Sequence, residues 1–403
     1  MKPERFIALR YLRSRHSYGF ISFIGYLGMI GLAIGVAALI LTLSAMRGFE
    51  AEVEKKVAGI DGHLRLSSAL GEKGALPDSI LAYLSNHPEV EKAIPFMASH
   101  ALLRNRDRSD GIYLLGADLQ QLREVMDVEK LIIAGSFPEA DDSAAVILGE
   151  KLAQTLKVQV GDRVIAFDIS YLLGQQGIRG VELIVAAVYR SGMVEYDQLL
   201  GFTSLETALS LFGRETVPPQ AIINLKNRDQ ADELALSLEK ELGFPYYLIS
   251  WRQRHANLFN WLKGQQMPIL IVFGFIALVA LINIISTLSL IVVEKQRDIG
   301  ILRSLGFSRQ KIRRVFLLQG GVIGFIGSFS GIVLALVLGY LQQKFQLVSL
   351  ESDIYFMDAM PVQWTWQGLI LIPVLAWLMS LLAAVWPARR AAIVQPAEAL
   401  RYE

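Results

Sequence analysis

The sequence predicts an α-helical membrane protein with four transmembrane helices and a large α+β domain between helices one and two. Four stretches contain no Asp, Glu, Lys or Arg, and each can supply the about 20 apolar residues that cross a bilayer. More than two hundred residues separate the first stretch from the second, whereas the last three lie close together. The stretches are residues 17–46, 268–293, 315–343 and 359–388.

Basic residues flank these helices unevenly, and this indicates orientation because Lys and Arg are retained on the cytoplasmic side. They are frequent before helix one, between helices two and three and after helix four, whereas residues 343–358 contain one base and three acids. We therefore expect both termini and the second loop in the cytoplasm, with the large domain and third loop on the opposite side. Residues 17–46 exceed the apolar core of a cleaved secretion signal, so we expect them to remain as helix one.

Composition argues against several functional classes. The net charge of +1 argues against nucleic acid as a partner, because the topology accounts for the basic residues. The chain has no cysteine, which excludes disulfides, thiolate chemistry and cysteine metal sites. Its five histidines are scattered without ligand spacing, so no metal site is expected and they are interpreted as ordinary surface or packed residues.

Residues 47–267 are predicted to form the α+β domain, because strand-like and helix-like patterns alternate along them. Period-two residues around a Gly-Asp turn predict a β-hairpin at 157–166. Asp78 is expected to cap a helix over 79–85. The order of the elements leaves open whether the domain has one lobe or two. Further strands are expected at 63–67, 181–189 and 220–225, and further helices at 204–212 and 228–242.

Residues 251–267 are predicted to form an amphipathic stalk that leads into helix two. Trp261 is expected near the membrane interface, and Pro268 at a position where a helix begins. The chain is thus divided into residues 1–46 with helix one, 47–267 with the domain and stalk, and 268–403 with helices two to four.

Small residues recur at helical spacing inside two of the spans and predict close helix packing. Polar side chains there are few, and no acid or base lies mid-span, so no charge relay of an ion channel is expected. The polar residues are expected to bond within or between helices, with a polar transport path as the alternative. The glycines are Gly28, Gly31 and Gly35 in helix one and Gly320, Gly324, Gly327 and Gly331 in helix three; the polar residues are Asn283, Ser286, Thr287 and Gln319.

The cytoplasmic segment 294–312 is short, charged and helical in pattern. Ile299, Leu302 and Leu305 are expected along one side of its helix. Gly306 is expected to end this helix and Ser308 to cap the next. An ordinary positively charged loop with a chance amphipathic pattern is the alternative interpretation.

Several motifs together resemble the permeases of MacB/FtsX-like ABC transporters, and most closely the lipoprotein-releasing permeases of the LolC/LolE type. Segment 294–312 is similar to their coupling helix, and residues 387–392 with 396–403 resemble their closing signature. Residues 43–50 resemble the end of the family's first helix, except that Arg47 stands where the family has Asn. The other similar segments are 146–149, 160–164, 191–197 and 283–288.

The resemblance implies a permease that extracts lipoproteins from the outer leaflet of the cell inner membrane and passes them to a periplasmic carrier. The large domain would then lie in the periplasm. A separate ATPase subunit would bind ATP, because this chain has no G-x-x-x-x-G-K-[ST] motif and is not expected to be an enzyme or to hold a cofactor. A second permease, a copy or a paralogue, is also implied. The residues expected to couple to the ATPase are Glu294, Lys295, Arg297, Asp298, Ile299, Leu302, Arg303, Leu305, Gly306 and Phe307.

Residues 168–180 occupy the place of the hook with which this family captures its periplasmic carrier. Here the loop is short and contains no proline, although the family's hook usually does. It is apolar for an exposed tip, which favours an interaction site; a loop packed on its own domain is the alternative. The expected carrier-binding residues are Tyr171, Leu172, Leu173, Gln175, Ile178 and Arg179.

Membrane lipid and acylated cargo are expected to meet the protein between helices one and two of opposing subunits. The expected cargo-binding residues are Leu43, Met46, Phe49, Met267 and Ile271, and simple anchoring of the helices at the interface is the alternative. Two other functions remain open: a MacB-like permease that expels peptides or drugs, and an FtsX-like signalling protein that does not transport.

Overall fold

The computed structural model describes residues 19–69, 76–139, 144–169, 180–213, 220–350, 357 and 359–394. It divides into two compact units. The membrane unit comprises the described residues of Met1–Glu50, Leu262–Ser349 and Ala359–Glu403. The soluble unit comprises those of Ala51–Trp261 and Leu350–Asp358.

Within the described residues, four helices are long and apolar enough to cross a membrane, which confirms the prediction of four spans. They are α1 (Gly19–Asp61), α9 (Ala256–Glu294), α11 (Arg309–Phe345) and α12 (Trp366–Ile393). A short helix, α10 (Gln296–Ser304), lies between α9 and α11.

The expected position of Pro268 was wrong. Pro268 lies inside α9, which begins at Ala256 and contains most of the predicted stalk. A proline inside a helix removes one backbone hydrogen bond, but membrane helices tolerate this when neighbouring groups or local adjustments compensate. The pattern that was interpreted as a separate stalk is therefore the first part of the second span.

Glycines let the helices of the membrane unit approach closely, as predicted for helix three. A Cβ on Gly320 would lie 2.3 Å from the Cβ of Ala384 in α12, and one on Gly331 would lie 2.8 Å from the carbonyl oxygen of Ala33 in α1. One row of small residues on α11 therefore packs against two different helices. In α1 the pattern is weaker, because a Cβ on Gly31 would meet no atom within 4 Å.

The soluble unit is built on one ten-stranded mixed sheet, so the α+β prediction is confirmed and the sheet is continuous. Its strand order is β10-β1-β9-β2-β3-β8-β5-β7-β4, and β6 pairs with both β2 and β7. The strands are β1 (Leu64–Ser68), β2 (Val90–Asn105), β3 (Arg108–Ala117), β4 (Ile132–Gly135), β5 (Ala145–Gly149), β6 (Arg163–Asp168), β7 (Gly180–Tyr189), β8 (Leu200–Ser204), β9 (Gln220–Leu225) and β10 (Tyr246–Ser250).

Short helices cover this sheet and complete two buried apolar clusters. One cluster includes Leu152 and Phe212, and the other includes Leu122 and Ile60. The helices are α2 (Asp78–Asn86), α3 (Leu119–Val125), α4 (Glu150–Leu156), α5 (Val194–Leu199), α6 (Leu205–Phe212), α7 (Ala231–Leu242) and α8 (Trp251–Arg254).

Two local predictions in this unit were wrong. Residues 157–160 form no strand, because Lys157 ends α4 in the left-handed conformation and the amide of Val158 bonds to the carbonyl of Ala153. β6 pairs instead with β7 and β2. Asp78 is the first residue of α2 rather than its cap, since Pro77 occupies the cap position without a side-chain hydrogen bond.

Candidate functional sites

The segment between α9 and α11 has the local geometry that the sequence predicts for a coupling helix. The chain leaves α9 at Glu294, turns at Lys295 and continues as α10. Gly306 has a φ of +94°, a conformation that favours glycine, and it ends this segment. Ser308 caps α11, its hydroxyl oxygen accepting a 3.4 Å hydrogen bond from the amide of Lys311.

One face of α10 is packed into the core of the membrane unit. Ile299 is almost fully buried, and Leu302 and Phe307 pack against the same apolar cluster, which includes Phe316 and Ala388. Arg303 donates a hydrogen bond to the carbonyl oxygen of Val394 beyond α12. α10 is therefore in direct contact with both α11 and α12.

The opposite face of α10 is open, and here one prediction was wrong. Leu305 does not lie beside Ile299 and Leu302 but is 75% exposed. Ile301, which the sequence analysis missed, is 42% exposed one helical turn earlier, and Arg297 is exposed a further turn back. The i, i+4 spacing of these three residues was a signal that would have identified the face.

The predicted cargo-binding residues lie on two helices of the membrane unit. Leu43, Met46 and Phe49 are half-buried on α1, whereas Met267 and Ile271 are exposed on α9, at 67% and 59%. The structure neither joins the two sets in one described pocket nor contradicts the prediction.

A different face of α1 is occupied by the segment that precedes α12. The carbonyl oxygen of Ser44 accepts a 3.0 Å hydrogen bond from the amide of Gln363. A Cβ on Gly48 would lie 2.7 Å from the carbonyl oxygen of Pro361. Helical spacing places Leu43 and Met46 on other sides of α1 than Ser44 and Gly48, and both side chains are half-buried.

Much of α9 is exposed within the described residues, although Ile284 and Leu288 are buried in the apolar cluster of the membrane unit. Large apolar side chains along it are exposed, and so are the polar residues Asn283 and Ser286 inside its apolar stretch. Thr287 is buried, and its hydroxyl lies 3.5 Å from the position of a Cβ on Gly28 of α1. The exposed apolar residues are Leu270, Ile271, Val272, Phe275, Ile276, Leu278, Val279 and Ile282.

All six predicted carrier-binding residues lie outside the described residues, in the loop between β6 and β7. The two strands that lead into this loop are described. They pair antiparallel from Arg163 with Ile184 to Phe167 with Gly180, so the loop leaves from the end of a hairpin. Ile165 and Ile184 are each 42% exposed on these strands.

The segment 191–197, which resembles the family, forms a tightly bonded turn at the start of α5. The carboxylate of Asp197 accepts hydrogen bonds from the amide of Ser191 at 2.7 Å, from its hydroxyl at 2.6 Å and from the amide of Gly192 at 3.3 Å. Burial raises the pKa of Asp197, although these hydrogen bonds oppose that effect. Segment 191–197 therefore forms a polar turn in which the carboxylate of Asp197 accepts three hydrogen bonds.

No group of three or more His, Asp or Glu side chains within the described parts of the chain is arranged to hold a metal ion.

Two family models match the chain. The FtsX-like permease C-terminal model matches residues 270–396, and the MacB-like periplasmic core domain model matches residues 27–241, more than half of the chain. Among solved structures, the periplasmic region of MacB from Actinobacillus actinomycetemcomitans is 17% identical with a TM-score of 0.34, and it covers 51% of this chain and 96% of that one.

The curated relatives match over nearly the whole length. The lipoprotein-releasing system transmembrane protein LolC of Xylella fastidiosa is 32% identical over 98% of both chains. LolC of Neisseria meningitidis and LolE of Haemophilus influenzae are each 29% identical over 99% of both chains. The chain therefore belongs to the LolC/LolE family of lipoprotein-releasing system transmembrane proteins, within the MacB/FtsX-like permeases.

Proposed function

We propose that this protein is the permease subunit of an ABC transporter that extracts lipoproteins from the outer leaflet of the inner membrane. It passes them to a periplasmic carrier, and a separate ATPase subunit drives the process. The observation that carries the proposal is the 32% identity, over 98% of both chains, to a lipoprotein-releasing permease. The orientation that the basic residues indicate agrees with a periplasmic location for the soluble unit.

The two faces of α10 support docking of the ATPase. Ile299 anchors the helix from inside, while Leu305, Ile301 and Arg297 are exposed on the other side. Exposed apolar residues rimmed by charge are typical of protein interfaces. The ATPase would bind this outer face and move the inner one, because nucleotide acts on the permease only through contacts that differ between its states.

The open face of α9 supports a second permease subunit. Asn283 lies inside an apolar stretch, where a polar side chain exposed to lipid is unfavourable unless it finds a partner. A helix from a second permease would supply that partner and cover the apolar residues around it. The relatives include both LolC and LolE proteins, so this second subunit is either a copy or a paralogue.

Energetics require that the cargo's acyl chains remain shielded throughout transfer. At about 0.8 kcal/mol per CH₂, three long chains exposed to water would cost on the order of 30–40 kcal/mol. Allosteric couplings supply about 1–3 kcal/mol. We therefore assign Leu43, Met46, Phe49, Met267 and Ile271 to a surface that receives the chains directly from the bilayer.

The loop between β6 and β7 is proposed to capture the carrier. Its sequence contains the apolar residues Tyr171, Leu172, Leu173 and Ile178. The strands on either side of it, β6 and β7, expose Ile165 and Ile184. A carrier bound there would meet an apolar surface on both the loop and the strands that support it.

Photo-crosslinking in reconstituted transporter tests the proposal. Crosslinkers at Met46 and Ile271 should capture acylated lipoprotein before ATP is added and lose it afterwards. Leu382, which is 73% exposed on α12, is the matched control and should capture only phospholipid. Phospholipid alone at all three positions, unchanged by ATP, would contradict lipoprotein as the cargo and favour peptide or drug efflux.

A further inference from the structure

Asp61, the last residue of α1, is the centre of a buried charge cluster in the soluble unit. Its side chain is 1% exposed. Oδ1 accepts hydrogen bonds from Nη2 of Arg65 at 2.7 Å and from Nη1 of Arg254 at 2.9 Å. Oδ2 lies 3.1 Å from Nε2 of His255. One carboxylate thus binds β1 and the junction between α8 and α9 at the same time.

These partners keep Asp61 ionised although it is buried. Burial alone opposes the charged form, but Arg65, the hydrogen bond from His255 and Arg254 outweigh it and lower the pKa of Asp61 to about 2. The uncharged stretch of α1 ends at residue 46, so this site belongs to the soluble unit. A buried charge with three donors is expensive to separate from them, which makes the cluster rigid.

The cluster continues to Tyr196 through the imidazole of His255. Nε2 of His255 lies 2.8 Å from the hydroxyl of Tyr196 as well as 3.1 Å from Asp61. Because a carboxylate only accepts, Nε2 must carry the hydrogen, and the oxygen of Tyr196 shares it as a second acceptor. The two rings also meet edge to face, with centroids 5.9 Å apart.

Tyr196 belongs to the polar turn that Asp197 holds together. The backbone carbonyl of Tyr196 accepts a 2.9 Å hydrogen bond from the hydroxyl of Tyr189 in β7. Tyr189 is fully buried in the sheet. The path from Asp61 through His255 to Tyr196 therefore ends at Tyr189, a buried residue of β7 in the sheet of the soluble unit.

The cluster lies where the chain enters and leaves the soluble unit. The chain enters through α1 and leaves through α8 and α9, and the amide of Trp251 bonds to the carbonyl of His63 at 3.2 Å. Arg252 adds a second connection, 3.4 Å from Glu54 of α1. Both connecting segments are therefore fastened at one place.

We propose that Asp61, His255 and Tyr196 form a clamp that makes the end of α1, the α8–α9 junction and the 191–197 turn move as one body. A displacement of the end of α1 or of the α8–α9 junction is then transmitted directly to the 191–197 turn. Tyr196 and His255 are positioning residues for coupled transport, a role that rests on the proposed function.

Distances between spin labels in the full-length permease, reconstituted with its ATPase, test this clamp. The chain has no cysteine, so single cysteines can be introduced at the exposed positions Glu195 and Asn257. The unchanged clamp should give one narrow distance distribution with and without nucleotide. Tyr196→Phe should broaden this distance distribution. His255→Gln removes the other partner of the same contact and should broaden it too.

Tyr83→Phe is the matched control, because it removes a hydroxyl bonded to Glu241 elsewhere on the unit. The lipoprotein released per ATP hydrolysed should fall by about fivefold or more in Tyr196→Phe, the lower end of typical couplings. The unfolding midpoint should stay unchanged, which a merely structural role would not predict.

A distribution as narrow in Tyr196→Phe as in the unchanged protein would overturn the clamp, and so would an unchanged ratio of release to hydrolysis. If the label distances respond as expected but even the unchanged protein releases no lipoprotein, the clamp stands and the proposed cargo is wrong. The two failures are thereby distinguished.

Discussion

The hydroxyl of Ser380 in α12 donates a 2.8 Å hydrogen bond to the carbonyl oxygen of Gly320 in α11. This bond satisfies a polar group that would be costly in a hydrocarbon environment. It forms at such short range because Gly320 has no side chain to separate the helices. The contact makes α11 and α12 a closely packed pair.

Gly320→Ala should weaken this pair. The new methyl group would lie 2.3 Å from the Cβ of Ala384, so the helices must separate, and overpacking of this kind costs about 1–3 kcal/mol. The midpoint of thermal unfolding in detergent measures the effect. Gly31→Ala is the control, because its methyl group would meet nothing within 4 Å. Equal midpoints for the two variants would show that the close approach is unimportant.

Gly306→Val should uncouple ATP hydrolysis from lipoprotein release while membrane insertion stays normal. A Cβ at Gly306 would meet no atom within 4 Å, so we expect the damage to arise from the backbone, whose φ of +94° disfavours a β-branched residue. Release per ATP in proteoliposomes measures it. Gly264→Val is the control, since that glycine is equally open but has an ordinary helical backbone. Normal coupling in Gly306→Val would remove α10 from the transmission path, and charge reversal at Glu294 gives an independent check.

Leu305→Glu should reduce binding of the ATPase subunit without unfolding the permease. Leu305 is 75% exposed, so the new charge is solvated in the free chain but must be desolvated in the interface. Co-purification of the two subunits measures binding. Leu236→Glu, at a 57% exposed leucine of α7, is the matched control and should bind normally. Full binding by Leu305→Glu would place the docking surface elsewhere.

Deleting residues 170–179 should abolish binding of the periplasmic carrier by the full-length permease. The strands β6 and β7 that support the loop pair with each other, and β6 also pairs with β2 while β7 pairs with β5, so the sheet should survive the deletion. Pull-down of the carrier and the unfolding midpoint are measured together. Retained binding would locate the carrier site elsewhere, whereas a lost fold would indicate that the loop packs on its own domain.

Acid should weaken the soluble unit through Asp61. Its pKa is lowered from about 4 in the unfolded chain to about 2 in the fold, so its contribution is complete above pH 4 and is lost as pH falls toward 2. Ionised Asp61 contributes about 2 kcal/mol to the free energy of unfolding. Asp197 acts in the opposite direction, because its pKa is raised.

The quantity to measure is the pH dependence of the free energy of unfolding. Denaturant unfolding at several acidic pH values gives it, with hydrogen exchange as the probe of the soluble unit. Asp61→Asn should be less stable at neutral pH than the unchanged protein, and it should lose the part of the pH dependence that Asp61 causes. Asp197 contributes equally in the variant and the unchanged protein. An identical pH dependence in both proteins would contradict the assignment.

Some of this architecture was predictable from the sequence because it depends on local pattern. Uncharged stretches identified the four spans, and strand-like patterns predicted β7 and β9 at 181–189 and 220–225. The hairpin at 157–166 was wrong because a left-handed Lys157 and the bond from Val158 to Ala153 extend the end of α4. The i, i+4 spacing of Arg297, Ile301 and Leu305 was sufficient to place Leu305 on the exposed face of α10. The sequence analysis instead assigned Leu305 to the face of Ile299 and Leu302.

The Asp61 cluster was beyond sequence reasoning for a physical reason. Asp61, Tyr196 and His255 are far apart in the chain and carry no shared spacing. Asp61 and His255 meet because β1 and β10 are antiparallel neighbours, with Leu64 opposite Ser250. Sheet register over this separation depends on tertiary packing, which a local pattern does not contain.

The pairing of β1 with β10 brings the first and last strands of the soluble unit side by side. Chain segments whose ends lie side by side in this way are readily inserted and exchanged. Residues 64–250 therefore constitute a cassette that evolution can replace without rebuilding the four spans. Exchange of the soluble unit and preservation of the membrane helices can in this way proceed separately within one polypeptide.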